Sequence, residues 1–390
     1  MFRIAYYHNI TLLICLANIL VCIIFALSSN SIQIGLIYFF ICGVIIPGLA
    51  ILITSSHSKE GNLIPPQIIF SIMYRNSFAL TILIFMCFLN FHFLVIKFGD
   101  YGNILGIANN LSRARFSGEA EIFTGFGRVT NLFVNISIAY LAFTNSQKKN
   151  VLSRFLSIFL YFLIIFTIIV TASKAAVTFL MSALVLSYFK TYNRVIIKDG
   201  STFLVFSFFI LLAVFLAILI HFNRTNEGVD FMLIFYRIFT NYFFAPPGLF
   251  INYMNDFISF DSNLYFGQKT FMGIFKQFME VAETRSVNSE YLFFGTQYSS
   301  NVYTGYRWLI EDYGILFSPI ILLFMYIFFI HSAMIASRRS DIISLSMYYL
   351  LGMYILFLHF GSFYKFSGNI FSLIGILLIF LTTNLKIKWR

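Results

Sequence analysis

Asn301-Val302-Tyr303-Thr304-Gly305-Tyr306-Arg307-Trp308-Leu309-Ile310-Glu311-Asp312-Tyr313-Gly314 is the seam between two unlike kinds of sequence. After it, from Gly314 to about residue 335, runs an apolar stretch without Asp, Glu, Lys or Arg. Before it, residues 223–313 carry Pro246-Pro247-Gly248, many Asn and Tyr, and nine of the chain's fifteen carboxylates. A helix rises about 1.5 Å per residue and the hydrocarbon core of a bilayer is about 30 Å thick, so a crossing takes roughly 20 apolar residues. The run after the seam is long enough to cross, whereas the stretch before it is too polar. The rest of the chain reads as a scaffold that holds residues 223–313 at one membrane face.

The same criterion picks out ten segments, near 10–27, 32–53, 78–96, 123–143, 153–172, 175–190, 202–222, 314–335, 343–360 and 367–384. The fold expected is therefore all-α and polytopic: a single membrane domain over 1–390, with about ten transmembrane helices and a large loop, 223–313, containing short helices. Composition agrees, since 59% of residues are apolar, 11% are charged and mean hydropathy is +0.86, outside the soluble globular range. Arg3 followed by the apolar run to Leu27 resembles a signal peptide, but a second apolar run follows within five residues, so a retained first helix is expected. Cys15, Cys22, Cys42 and Cys87 lie inside apolar runs without metal-ligand or CxxC spacing and read as small buried hydrophobes.

Loop charge sets the orientation. With both termini and alternate loops on one side, that side holds fourteen Lys and Arg and the other twelve, six of them in the long loop that the rule discounts. Both termini are accordingly expected in the cytoplasm and the long loop outside. That loop, with six basic and nine acidic residues, is no polybasic surface, and nucleic-acid binding is not supported. Within it Phe271, Ile274, Phe275, Phe278 and Val281 recur at helical spacing opposite Lys276, Gln277, Glu280 and Glu283, the pattern of a helix lying on the outer leaflet.

The residues with chemical potential are mostly cations on the exterior side. Arg113 and Arg115, two apart in the loop 97–122, either bracket a phosphate with their planar forks or are solvated loop charges. Arg128, beside Gly125, Gly127, Asn131 and Asn135, and Lys174, at a turn with no room for an aqueous loop, either face a polar cavity or snorkel to headgroups. Arg237 and Arg307 flank the long loop. The run around Arg237 is apolar enough to pack back against the helices, and ion pairing to Glu227, Asp230, Glu311 or Asp312 is the plainer role for both arginines. His92, His221 and His359 fall near exterior helix ends, where an imidazole serves as general base or as interfacial packing. There is no HExxH, hard-metal carboxylate cluster, GxSxG or Walker-type loop, so neither metal catalysis nor nucleotide hydrolysis is indicated. Cations at bilayer depth beneath a partly apolar lid suit a substrate both lipid-anchored and anionic, a polyprenyl pyrophosphate or a phospholipid.

Ser300-Asn301-Val302-Tyr303-Thr304 followed by Asp312-Tyr313-Gly314 resembles the Asn-x-Tyr-Thr and Asp-aromatic-Gly signature of the O-antigen polymerases, the oligosaccharide repeat unit polymerases (Wzy) of bacterial envelopes. Thr171-Ala172-Ser173-Lys174-Ala175-Ala176 is similar to the Ser-Arg-Gly/Ala turn of the wider polymerase and ligase superfamily, with Lys174 in place of the arginine. The related ligases often carry His-Asn where this chain has Ser300-Asn301, and Gly-x-x-Gly where it has Gly314 to Ser318. The resemblance implies a metal-independent inner-membrane glycosyltransferase with no cofactor. Its donor and acceptor are undecaprenyl-pyrophosphate-linked oligosaccharides, its large loop is periplasmic, and a chain-length regulator protein is its further partner. It implies catalytic roles for Arg237, Lys174 and Arg307. Arg113, Arg115, Arg128 and His359 are expected to bind substrate, and Asn301, Tyr303 and Asp312 to position sugar or loop. A lipid-linked oligosaccharide flippase, an O-antigen ligase and an acyltransferase at the same face are the competing classes.

Overall fold

In the computed structural model the residues described are 6–28, 33–55, 73–99, 126–144, 151–171, 174–191, 244–256, 264–275, 292–294, 298–300, 304–338 and 342–359, with isolated positions between and beyond them. They form α1 (Asn9–Ser28), α2 (Ile34–Phe40), a π turn (Ile41–Ile45), α3 (Ile46–Ser55), α4 (Met73–Phe98), α5 (Phe126–Thr144), α6 (Val151–Thr171) and α7 (Lys174–Thr191). Then come α8 (Ala245–Asp256), α9 (Met272–Phe275), the antiparallel ribbon β1 (Leu292–Phe294) and β2 (Tyr298–Ser300), α10 (Gly305–Arg338) and α11 (Ile342–Phe357). The expected helical architecture holds apart from that ribbon, in which Leu292 stands opposite Ser300.

Among the described residues, five stretches are long and apolar enough to cross a membrane: Asn9–Leu27, Ile34–Ser55, Ser77–Phe98, Val151–Thr171 and Gly305–Ser337. Val129–Ala142, Ala176–Lys190 and Ser344–Phe357 are shorter apolar helices. All coincide with segments expected from hydropathy, while 202–222 and 367–384 fall largely outside the described residues.

The contacts divide the helices into two units. One gathers α1–α3, α8–α11 and the ribbon; the other gathers α4–α6 and most of α7. In the second unit α4 is tied to its neighbours by small polar links. Ser77 Oγ lies 2.9 Å from Ser153 Oγ, Cys87 Sγ 3.4 Å from Ser137 Oγ, and Thr130 Oγ1 donates to Asn90 Oδ1 at 3.2 Å. With no water in the bilayer core, such pairs and the close approach of small residues replace the hydrophobic effect as the source of helix–helix attraction.

The first unit shows how broken helices are repaired. Pro319 lies inside α10 and has no N–H to offer the carbonyl four residues back, that of Ile315. Tyr38 supplies the missing donor: its hydroxyl donates to Ile315 O at 2.8 Å and sits 2.6 Å from Ser318 Oγ. At the π turn between α2 and α3, Asn18 Nδ2 of α1 donates to Gly43 O at 3.0 Å, so the irregular backbone is again satisfied by a neighbouring helix.

The helix that contains the eighth expected crossing begins earlier than that crossing. Helix continues back to Gly305, through residues that were read as the end of the polar loop. At about 50 Å it would overreach the bilayer, but Gly314 has φ 77° and ψ 170° and breaks it into Gly305–Tyr313 and a crossing from Ile315. Charge at Arg307, Glu311 and Asp312 made the first part look like loop, whereas its residues are mostly buried. The helix expected from the spacing of Phe271 to Val281 is described over one turn, Met272–Phe275. Pro246-Pro247, among the features that set 223–313 apart from the apolar runs, open α8, where a missing N–H costs nothing in the first turn.

Candidate functional site

The short helix Gly305–Tyr313 is fixed at both ends. At its start the Gly305 amide donates to Leu358 O at 2.6 Å, and a Cβ on Gly305 would stand 2.6 Å from Gly361 O, so only glycine fits against this turn. His359 lies in that turn, which brings it next to the helix that carries Arg307. Behind the helix, Tyr306 packs against Phe39 of α2 and Phe250 of α8, with ring centroids 5.8 and 5.9 Å away. Helix α8 itself lies so close to α2 that a Cβ on Gly35 would collide with the Ile251 backbone, and Asn255 Oδ1 accepts from the Gly35 amide at 3.0 Å.

At its other end the break at Gly314 frees the last carbonyls of the helix. Residues 265–270 take them up. Tyr265 N donates to Glu311 O at 3.2 Å and Phe266 N to Asp312 O at 3.0 Å. The Asp312 carboxylate closes the clip, with Oδ1 accepting from Lys269 N at 2.9 Å and Oδ2 from Thr270 N at 2.6 Å. Asp312 is fully buried, and both of its oxygens are engaged with the loop. Of the roles expected for it, loop positioning is the one its geometry serves.

Inside the clip the charges meet. Arg307 Nε donates to Glu311 Oε1 at 2.7 Å, one turn along the helix, and its guanidinium lies 4.5 Å from the centre of the Tyr253 ring on α8. The ion pairing anticipated for Arg307 is therefore present, with Glu311 as partner. Lys269 is 1% exposed, and its ammonium sits 4.4 Å from the Tyr265 ring centre. Burial pushes the Lys269 ammonium below the usual lysine range and Arg307 adds to that, while Glu311 and Asp312 pull the other way. Burial likewise raises the Tyr253 phenol, which also interacts with Glu311 and Arg307. Two cations, two carboxylates and two tyrosine rings thus share one buried cluster, with both cations also held by aromatic faces.

Of the residues expected to form the site, Arg307 and Asp312 come together here, while His359 lies by the opposite, Gly305 end of the helix. Arg113, Arg115, Arg237, Asn301 and Tyr303 lie outside the described residues. So do the side chains of Arg128 and Lys174, although their backbones belong to α5 and α7. Sequence reasoning passed over Lys269 and Tyr253. Nothing local marks Gly267-Gln268-Lys269-Thr270 as buried, because what buries it is Asp312, more than forty residues later. The usable signal was Asp312 itself, an acid at the mouth of an apolar run with a glycine two residues on.

No protein-family description, curated protein or solved structure matches the chain.

Proposed function

We propose that the chain is a polymerase of undecaprenyl-pyrophosphate-linked oligosaccharide repeat units, working at the periplasmic face of a bacterial inner membrane with ten crossings and both termini in the cytoplasm. In this reading an acceptor sugar hydroxyl attacks the anomeric carbon of the lipid-linked donor. The bond from that carbon to the pyrophosphate oxygen breaks, the departing oxygen takes the electron pair, and the proton of the attacking hydroxyl passes to water. Cations held away from water stabilise the charge that builds there. No divalent ion takes part.

The observation that supports this most is the pair of buried cations, Arg307 and Lys269, held under a loop at the end of a crossing helix. An isolated charge is costly beside a membrane, and in membrane proteins such groups face interior cavities and mark substrate paths. Glu311 keeps Arg307 aimed until phosphate oxygens replace it. Arg237 and Lys174 are proposed to hold the same pyrophosphate, with Arg113, Arg115 and Arg128 as further clamps.

Deleting the gene and separating surface polysaccharide on a gel tests the reading. Loss of the polymer ladder with a single repeat unit retained is expected; an unchanged ladder, or loss of every unit, would refute it. Returning the gene with Arg307→Ala, at normal protein level, should leave rate down by roughly one to two decades, the effect of losing a charge-assisted bond of about 1.5–3 kcal/mol. Arg307→Lys should recover part of it, because an ammonium has no fork.

A further inference from the structure

The clip at residues 264–278 is inverted relative to a loop in water. Among its described residues the one cation, Lys269, is 1% exposed, while Phe266 is 72% and Phe278 82% exposed, and Leu264 and Ile274 also lie open. Water-facing loops show the opposite arrangement. Phe266 is held outward by its backbone: its φ of 46° is the left-handed region that a bulky side chain avoids, and it precedes Gly267 at φ 89°. Between them the chain turns Tyr265 toward Lys269 and Phe266 away from it.

The place of this patch on the fold tells what it meets. Leu264 Cδ2 lies 3.5 Å from where a Cβ of Gly314 would stand, so the patch abuts the first residue of the crossing part of α10. From there Ile315, Leu316, Phe317, Ile320, Phe324 and Phe328 form an exposed apolar stripe. Ile315 to Ser337 spans about 34 Å, close to the hydrocarbon thickness, which puts the edge of the hydrocarbon within about a turn of Gly314. The patch is continuous with the lipid-facing stripe at that edge.

We infer that Leu264, Phe266, Ile274 and Phe278 form a membrane-interface anchor, inserted among the lipid headgroups and upper acyl chains of the leaflet at which α10 begins. The four backbone bonds to Glu311 and Asp312 tie this anchor to the Arg307 helix, so it also fixes the depth of the buried Arg307–Glu311–Lys269 cluster. The inference stands apart from the reaction proposed above.

The test uses the full-length protein in phosphatidylethanolamine–phosphatidylglycerol vesicles, carrying Phe278→Cys or Ile274→Cys labelled with bimane. Wild-type protein, whose four cysteines are buried, gives the background labelling. Phospholipid with a nitroxide high on its acyl chain should remove most of the bimane emission and iodide in the water should remove little, as for a group about 5–10 Å below the headgroup boundary. Quenching by iodide and not by the lipid would place the patch in water and overturn the anchor. Protection from both would mean that protein covers it, such as a second copy of the chain, and would overturn it equally. Both substitutions are at exposed side chains, and either site alone decides the result.

Discussion

Asp312 and Glu311 are neighbours with different tasks. Glu311 holds a guanidinium, while Asp312 binds two consecutive backbone amides and through them the whole clip. An asparagine at 312 retains one acceptor and turns its amide toward a donor, so Asp312→Asn should lose one charge-assisted bond and leave an amide facing an amide. About 1.5–3 kcal/mol of local stability should go with it. Limited proteolysis of residues 264–275 in vesicles is the measurement, and cleavage no faster than in wild type would refute the assignment. The sequence showed Asp312 as an acid in an unusual place but not its partner, since acceptor and donors are 42 and 43 residues apart. Lys269 was illegible for the same reason, because a lysine in a polar loop reads as solvated until something distant buries it.

The helices themselves were far more legible. Twenty apolar residues in a row are a local property, and the requirement that backbone groups satisfy one another in lipid leaves helix as the outcome for such a run. Ends were less legible where charge and helix overlap, as in Gly305–Tyr313, although the helix breaks at Gly314, the residue at which the expected crossing starts. The repair of α10 was invisible, because Tyr38 and Ile315 are separated by 277 positions. It makes a specific prediction. Tyr38→Phe should destabilise the protein by about 1–3 kcal/mol, the cost of leaving the Ile315 carbonyl without a donor. With Pro319→Ala also present the helix regains its own N–H, and the cost of Tyr38→Phe should fall sharply. A double-mutant cycle in detergent thermal unfolding measures this coupling, and additive effects would show that the hydroxyl does not serve the proline gap.

At the scale of the whole molecule, the distribution of positive charge is the feature that sets direction. Fourteen Lys and Arg against six, once the long loop is set aside, are the basis for the proposal that the termini lie in the cytoplasm and residues 223–313 outside. Alkaline phosphatase fused after Phe260 should be active and fused after Arg338 silent. The reverse would put the Arg307 cluster on the cytoplasmic side and remove the proposed reaction with it.

The attachment of the clip has a consequence for how this protein tolerates change. Tyr265, Phe266, Lys269 and Thr270 each hold this segment to the helix end through a main-chain amide, the last two on the Asp312 carboxylate. Every residue type except proline brings the same amide. Apart from the turn that favours Gly267, the outer side chains of the segment are open to drift in a lineage without dislodging it, and a designer can rewrite them for another bilayer while leaving the buried charges in place.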